Sequence, residues 1–109
     1  MKMELKMYKV IELTLSEREV YVAKDRYKKE YRVGSEGSWK ITKDLDEVIE
    51  IVNKEKEMFL NANKNYRQVE ILKDEIGEFF AQIKDIDRDG EVFKSIYCLK
   101  VVEIDMPIK

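Results

Sequence analysis

The chain has 109 residues, enough for one domain with its own core, and its hydrophobic fraction of 44% excludes wholesale disorder even though 40% of positions are charged. There is no histidine and a single cysteine, Cys98, so no intrachain disulfide can form and the usual histidine bases and zinc sites are excluded. The four glycines sit apart at Gly34, Gly37, Gly77 and Gly90, which excludes a glycine-rich phosphate loop.

Odd positions from Met3 to Leu15 are mostly apolar and even ones mostly polar, the period-two pattern of a strand with one buried face. Ser16 to Glu19 reads as a turn and Val20 to Ala23 as a short return strand. Tyr31 to Val33 and Trp39 to Ile41 then flank Gly34-Ser35-Glu36-Gly37, a second expected hairpin. An amphipathic helix is expected over 44–60: Asp44 can cap it, Glu47 can close a capping box, and Leu45, Val48, Ile49, Val52 and Phe59 share one stripe. The asparagines from Asn61 to Asn65 end it, and Val69 to Leu72 reads as a strand.

Ile76, Phe79, Phe80 and Ile83 have helical spacing, so a short second helix is expected over 74–84. Val92 to Ile104 is apolar on both faces and rich in β-branched residues, as a central strand is. The expectation is a single α+β domain over 1–109, an antiparallel sheet of about five strands packed against one main helix.

Three features invite functional readings. Asp85-Ile86-Asp87-Arg88-Asp89-Gly90 matches the first half of an EF-hand loop, with Asp85, Asp87 and Asp89 at alternate positions and then a glycine. The closing position is Ile96, which offers no oxygen, so the preferred reading is a turn and the alternative is weak calcium binding. No other cofactor is expected. The second feature is the segment 24–43, where seven basic residues against three acidic ones give +4 with Tyr27, Tyr31 and Trp39 among them. Its Lys24, Arg26, Lys28, Lys29 and Arg32 could meet phosphates while the rings stack on bases, a nucleic-acid reading. The third is the acidic helix face of Asp46, Glu47, Glu50 and Glu57, suited to steering onto a basic protein surface, with Tyr27, Tyr31 and Trp39 as aromatic anchors. Cys98 lies in an apolar strand and reads as an inert core residue.

The run from Ser38 through "KDLDE" to the "VEIL" strand resembles small accessory proteins of phages and mobile elements of low-GC bacteria. That resemblance implies early-expressed binding proteins, among them inhibitors of host machinery or of bacterial defence systems, and the expectation is a non-enzymatic module that occludes a larger host or defence-system protein or nucleoprotein. The charged N-terminal stretch lacks a signal peptide's apolar core, no run is long enough for a membrane span, and the lone cysteine suits a reducing compartment. The expected location is therefore cytoplasmic, in the host cytoplasm if the chain is phage-encoded, with no membrane partner.

Overall fold

The computed structural model describes residues 3–24, 26–63, 68–86 and 88–108. Strands β1 (Met3–Ala23) and β2 (Arg26–Ser38) come first, then helix α1 (Leu45–Asn63), then β3 (Gln68–Glu75), β4 (Glu78–Ile86) and β5 (Val92–Ile108). All five strands form one antiparallel sheet in the order β2-β1-β5-β4-β3. The fold is α+β, with β5 at the centre as its apolar character requires.

Helix α1 joins the two edge strands and on its way covers β1, β5 and β4. Its start is fixed by Asp44, whose Oδ1 accepts from the N–H groups of Asp46 (3.0 Å) and Glu47 (3.3 Å). Glu47 does not reach back to Asp44; its Oε2 accepts from the Thr42 hydroxyl (3.0 Å), which itself accepts from the Asp44 N–H (3.1 Å). The helix continues to Asn63, whose side-chain amide donates to the Phe59 carbonyl (2.8 Å) and ties down its last turn.

Val48 and Val52 of the helix meet Val10, Phe79, Ala81, Tyr97 and Leu99 of the sheet in the core. Phe59 stacks flat on Tyr97 (4.1 Å between centroids, 4° between planes) and edge-on to Phe79 (5.9 Å). The Tyr97 hydroxyl donates to Glu12 Oε2 at 2.6 Å. Burial first, and then the Glu12 hydrogen bond, push the Tyr97 phenol well above its ordinary range and keep it protonated.

Register assigns the faces. Val10 pairs with Val101, Glu12 with Leu99 and Thr14 with Tyr97, so even positions of β1 and odd positions of β5 face the helix. The opposite face takes Leu5, Met7, Ile11, Leu13 and Leu15 from β1 with Ile96, Val102 and Ile104 from β5, all half-buried by their neighbours within the sheet. Among the described residues no helix or second sheet lies on that face.

Three expectations are corrected. Residues 74–84 are not a helix but the end of β3, a tight turn at Ile76-Gly77 and most of β4. Gly77 has φ +76 and closes the turn, its carbonyl accepting from Val101 N–H (2.9 Å). Phe79, Ala81 and Ile83 are then buried in strict alternation, whereas the helical spacing had grouped Phe79 with Phe80, which belong to opposite faces. Ser16 to Glu19 is not a turn, because β1 runs straight through to Ala23. The glycine-flanked stretch 34–37 is not a hairpin loop but part of β2, with Gly34 as the extra residue of a bulge opposite Thr14 and Leu15.

Candidate interaction site

Beyond Ser16 the strand β1 has left its pairing with β5 and continues only with β2, making a two-stranded arm in which β1 ends at Ala23 and β2 begins at Arg26. Asp25 lies outside the described residues, and Lys24 stands in the left-handed region at φ 45. A two-stranded ribbon has little capacity to bury side chains. The arm accordingly holds its large residues in solvent: Tyr21 and Tyr27 are each 59% exposed and Val22 is 54% exposed.

Those two tyrosines are cross-strand partners, and their rings meet edge to face at 5.6 Å, so each fixes the other's orientation. Tyr31 and Val33 continue the same side of β2 toward the sheet and are also exposed. At the arm's root, Lys29 donates to the Val92 carbonyl (2.8 Å) and sits over the Phe93 ring (4.8 Å), while Glu17 Oε2 accepts from the Lys94 N–H (3.0 Å). These contacts anchor the arm to the start of β5.

Of the aromatic anchors expected, Tyr27 and Tyr31 are on the arm and Trp39 is not. Trp39 packs half-buried against the core and its N–H donates to the Val10 carbonyl (3.1 Å), because the chain after β2 keeps following β1 toward the Tyr8–Thr42 bridge. Tyr21 and Val22 were missed as site residues. Their signal was the placement of two tyrosines about the turn, hidden by the expectation that the turn lay earlier.

The basic residues are sorted by strand alternation. Lys28 and Arg32 pair with Val20 and Ser16, on the opposite side of the ribbon from Tyr27 and Tyr31. Both also lean on Glu30, at 2.9 Å from Lys28 and 3.8 Å from Arg32, and Lys28 holds the Glu30 carboxyl below its usual range. Lys29, on the tyrosine side, is engaged with Val92. Lys24 and Arg26 are exposed at the tip. Rings and cations thus do not line one groove as single-strand binding would use them.

On the helix, Asp46, Glu47, Glu50 and Glu57 are all exposed, with Glu47 also serving the helix start. They lie on the side of the sheet that α1 covers, while the arm's tyrosines belong by register to the other side. The structure therefore does not gather acids and aromatics into one site.

The Asp85–Gly90 stretch joins two strands, with Ile86 paired to Val92, and the expected entering helix is strand β4. This is the hairpin turn that the sequence favoured. Asp87 lies outside the described residues; Asp85 is half-buried, Asp89 is exposed, and Ile96 is a strand residue paired with Gln82. Among the described residues no three acidic or cysteine side chains converge on a metal position. Cys98 faces away from the helix, between Leu13 and Phe80, and burial pushes its thiol above the ordinary value.

Comparison with family models, with curated proteins and with solved structures found no match. Among the described residues no helix is long and apolar enough to cross a membrane.

Proposed function

We propose that the protein acts by binding, without catalysis of its own, and that the β1–β2 arm is the element that seats on a larger protein and occludes its surface. The observation that carries this is the Tyr21–Tyr27 pair, two mutually oriented rings left largely in solvent at the end of an anchored ribbon. Tyrosines of this kind offer large contact area at little entropic cost and are typical anchors of protein interfaces. Lys24 and Arg26 beside them favour an acidic rim on the partner. The acidic outer face of α1 gives the rest of the molecule the opposite sign, so it would orient the arm toward such a partner. This reading agrees with the inhibitor role that the resemblance to phage accessory proteins implies, and the lone cysteine suits an intracellular setting.

The test is a photo-reactive side chain at Val22, irradiated in a nuclease-treated lysate of the source cells. A discrete protein adduct that disappears when Tyr21→Ala and Tyr27→Ala are added, with the circular dichroism spectrum unchanged, supports the reading. Absence of any adduct, or one unaffected by the double substitution, overturns it. An adduct seen only without nuclease would favour the nucleic-acid alternative instead.

A further inference from the structure

Strands β1 and β5 part before either runs out. Their ladder ends at the pair Ser16–Ser95, yet β5 stays paired with β4 as far as Val92 and β1 stays paired with β2 as far as Ala23. Gly34, the extra residue of β2, sits opposite Thr14 and Leu15 immediately before the parting, and such a bulge bends and twists its strand out of the sheet. The pivot is made of small residues, with Gly34 against Ser16 and Ser16 against Ser95.

Main-chain direction alternates along a strand, so the groups that the parting leaves without strand partners can be named. Tyr8 and Val10 bond toward the Trp39–Thr42 side, which turns odd residues of β1 toward β5 and even residues of β5 toward β1. Lys94 N–H and Val92 C=O therefore lie on the edge of β5 that β1 has left. Both are occupied by side chains of the arm: Glu17 Oε2 accepts from Lys94 N–H (3.0 Å) and Lys29 Nζ donates to the Val92 carbonyl (2.8 Å). Lys29 is the cross-strand partner of Glu19, the residue that the β1–β5 register would bring opposite Val92. A carboxylate and an ammonium thus stand where two more residues of β1 would pair.

We propose that the arm has a second position, in which β1 zips onto β5 as far as Glu19 and Val92, and that Glu17 and Lys29 are the latch holding it in the position seen here. The register needs no slip to reach that position. It sets Glu17 opposite Lys94, unlike charges, and Arg18 opposite Phe93, so that a cation again lies beside the ring that Lys29 now covers at 4.8 Å. The two positions exclude each other, because Lys94 N–H bonds either the Glu17 carboxylate or the Glu17 carbonyl, and the Lys29 side chain must leave Val92 before β1 can enter. Hydrogen bonds to charged groups are roughly twice as strong as those between neutral groups, which favours the latched position while both charges are present. Zipping shortens the free ribbon and moves the Tyr21–Tyr27 pair relative to the sheet, whatever the arm binds.

Nuclear Overhauser spectra of the isotope-labelled full chain test this without any partner. Arg18 and Phe93 would form a non-hydrogen-bonded pair when zipped, with Cα atoms about 4.5 Å apart and their Hα atoms in contact. Thr14–Tyr97, the same kind of pair within the existing ladder, is the reference, and the Phe59–Tyr97 ring contacts are the folding control. In the wild type the Arg18–Phe93 Hα cross-peak should be below about a tenth of the reference, as for a minor state. Glu17→Thr/Lys29→Met, which removes both latch groups from exposed or half-buried positions, should raise it to at least about half of the reference. Lys29→Arg keeps a donor for Val92 and should stay like the wild type. A wild-type cross-peak already equal to the reference overturns the proposal. So does a folded double variant without the cross-peak, or a Lys29→Arg spectrum like that of the double variant.

Discussion

Strand β1 passes through two environments. At Val10 it lies beneath the helix, paired with Val101 of β5 on one side and hydrogen-bonded to Trp39 on the other, and the side chain is fully buried. At Tyr21 the same strand is half of a ribbon, and a much larger side chain is 59% exposed. Chemical type does not separate these sites, since both residues favour strands and avoid water. What differs is the number of layers and neighbours within reach. Stability is concentrated where α1 covers the sheet, and the arm is a projection held at its root by Lys29 and Glu17. The region that contributes least to folding is thus the one left available for recognition.

Phe79→Ala against Tyr27→Ala gives the largest contrast. Phe79 is fully buried between helix and sheet, so its truncation should cost about 3–5 kcal/mol in urea unfolding, a large share of a domain's stability. Truncating Tyr27 should change the midpoint by no more than about 0.5 kcal/mol. Equal losses at both sites would mean that the arm is part of the cooperative core.

Tyr97→Phe sharpens the comparison from the core side. It keeps the stack on Phe59 and removes the bond to Glu12, with an expected cost of about 1.5 kcal/mol. The phenol is raised in the folded state, so its stabilisation is complete below the unfolded value of about 10 and is lost as pH rises above it. Wild-type urea midpoints should therefore fall above about pH 10 more steeply than those of Tyr97→Phe.

The smallest effect is expected at the arm's turn. Lys24 holds a positive φ that a side chain resists, and Lys24→Gly removes that strain while adding freedom to the unfolded chain. A net gain below about 1 kcal/mol should appear as greater hydrogen-exchange protection in the arm, with the core unchanged.

Turn chemistry explains most of what the sequence hid. The reversal between Ala23 and Arg26 carries neither glycine nor asparagine, so its sequence cue was weaker than that of the paired glycines downstream. Gly34 and Gly37 advertised a turn where the chain needed a bulge, with Gly34 so close to Ser16 that a Cβ would lie 3.0 Å from its Oγ. At Ile76-Gly77 the signal was present and was outweighed by an accidental helical spacing of Ile76, Phe79, Phe80 and Ile83. Ile76, the first of those four, is 84% exposed and belongs to no apolar face of the core. Of the candidate site, Tyr27 and Tyr31 were legible as aromatics among cations, whereas Trp39 was misplaced because its proximity in sequence did not survive the return of the chain to β1.

The sequence by itself determined the α+β class, the capped amphipathic helix, the central β5 strand and the turn reading of the Asp85–Gly90 stretch. Each rests on local periodicity or on residues a few positions apart, which short-range physics can read. Only the tertiary structure decided that β1 outruns β5 to form an arm, that Tyr21 and Tyr27 meet near its end, and that among the described residues no layer covers one face of the sheet. Those outcomes depend on strand register and on which side of the sheet α1 crosses, long-range choices to which no local pattern is tied.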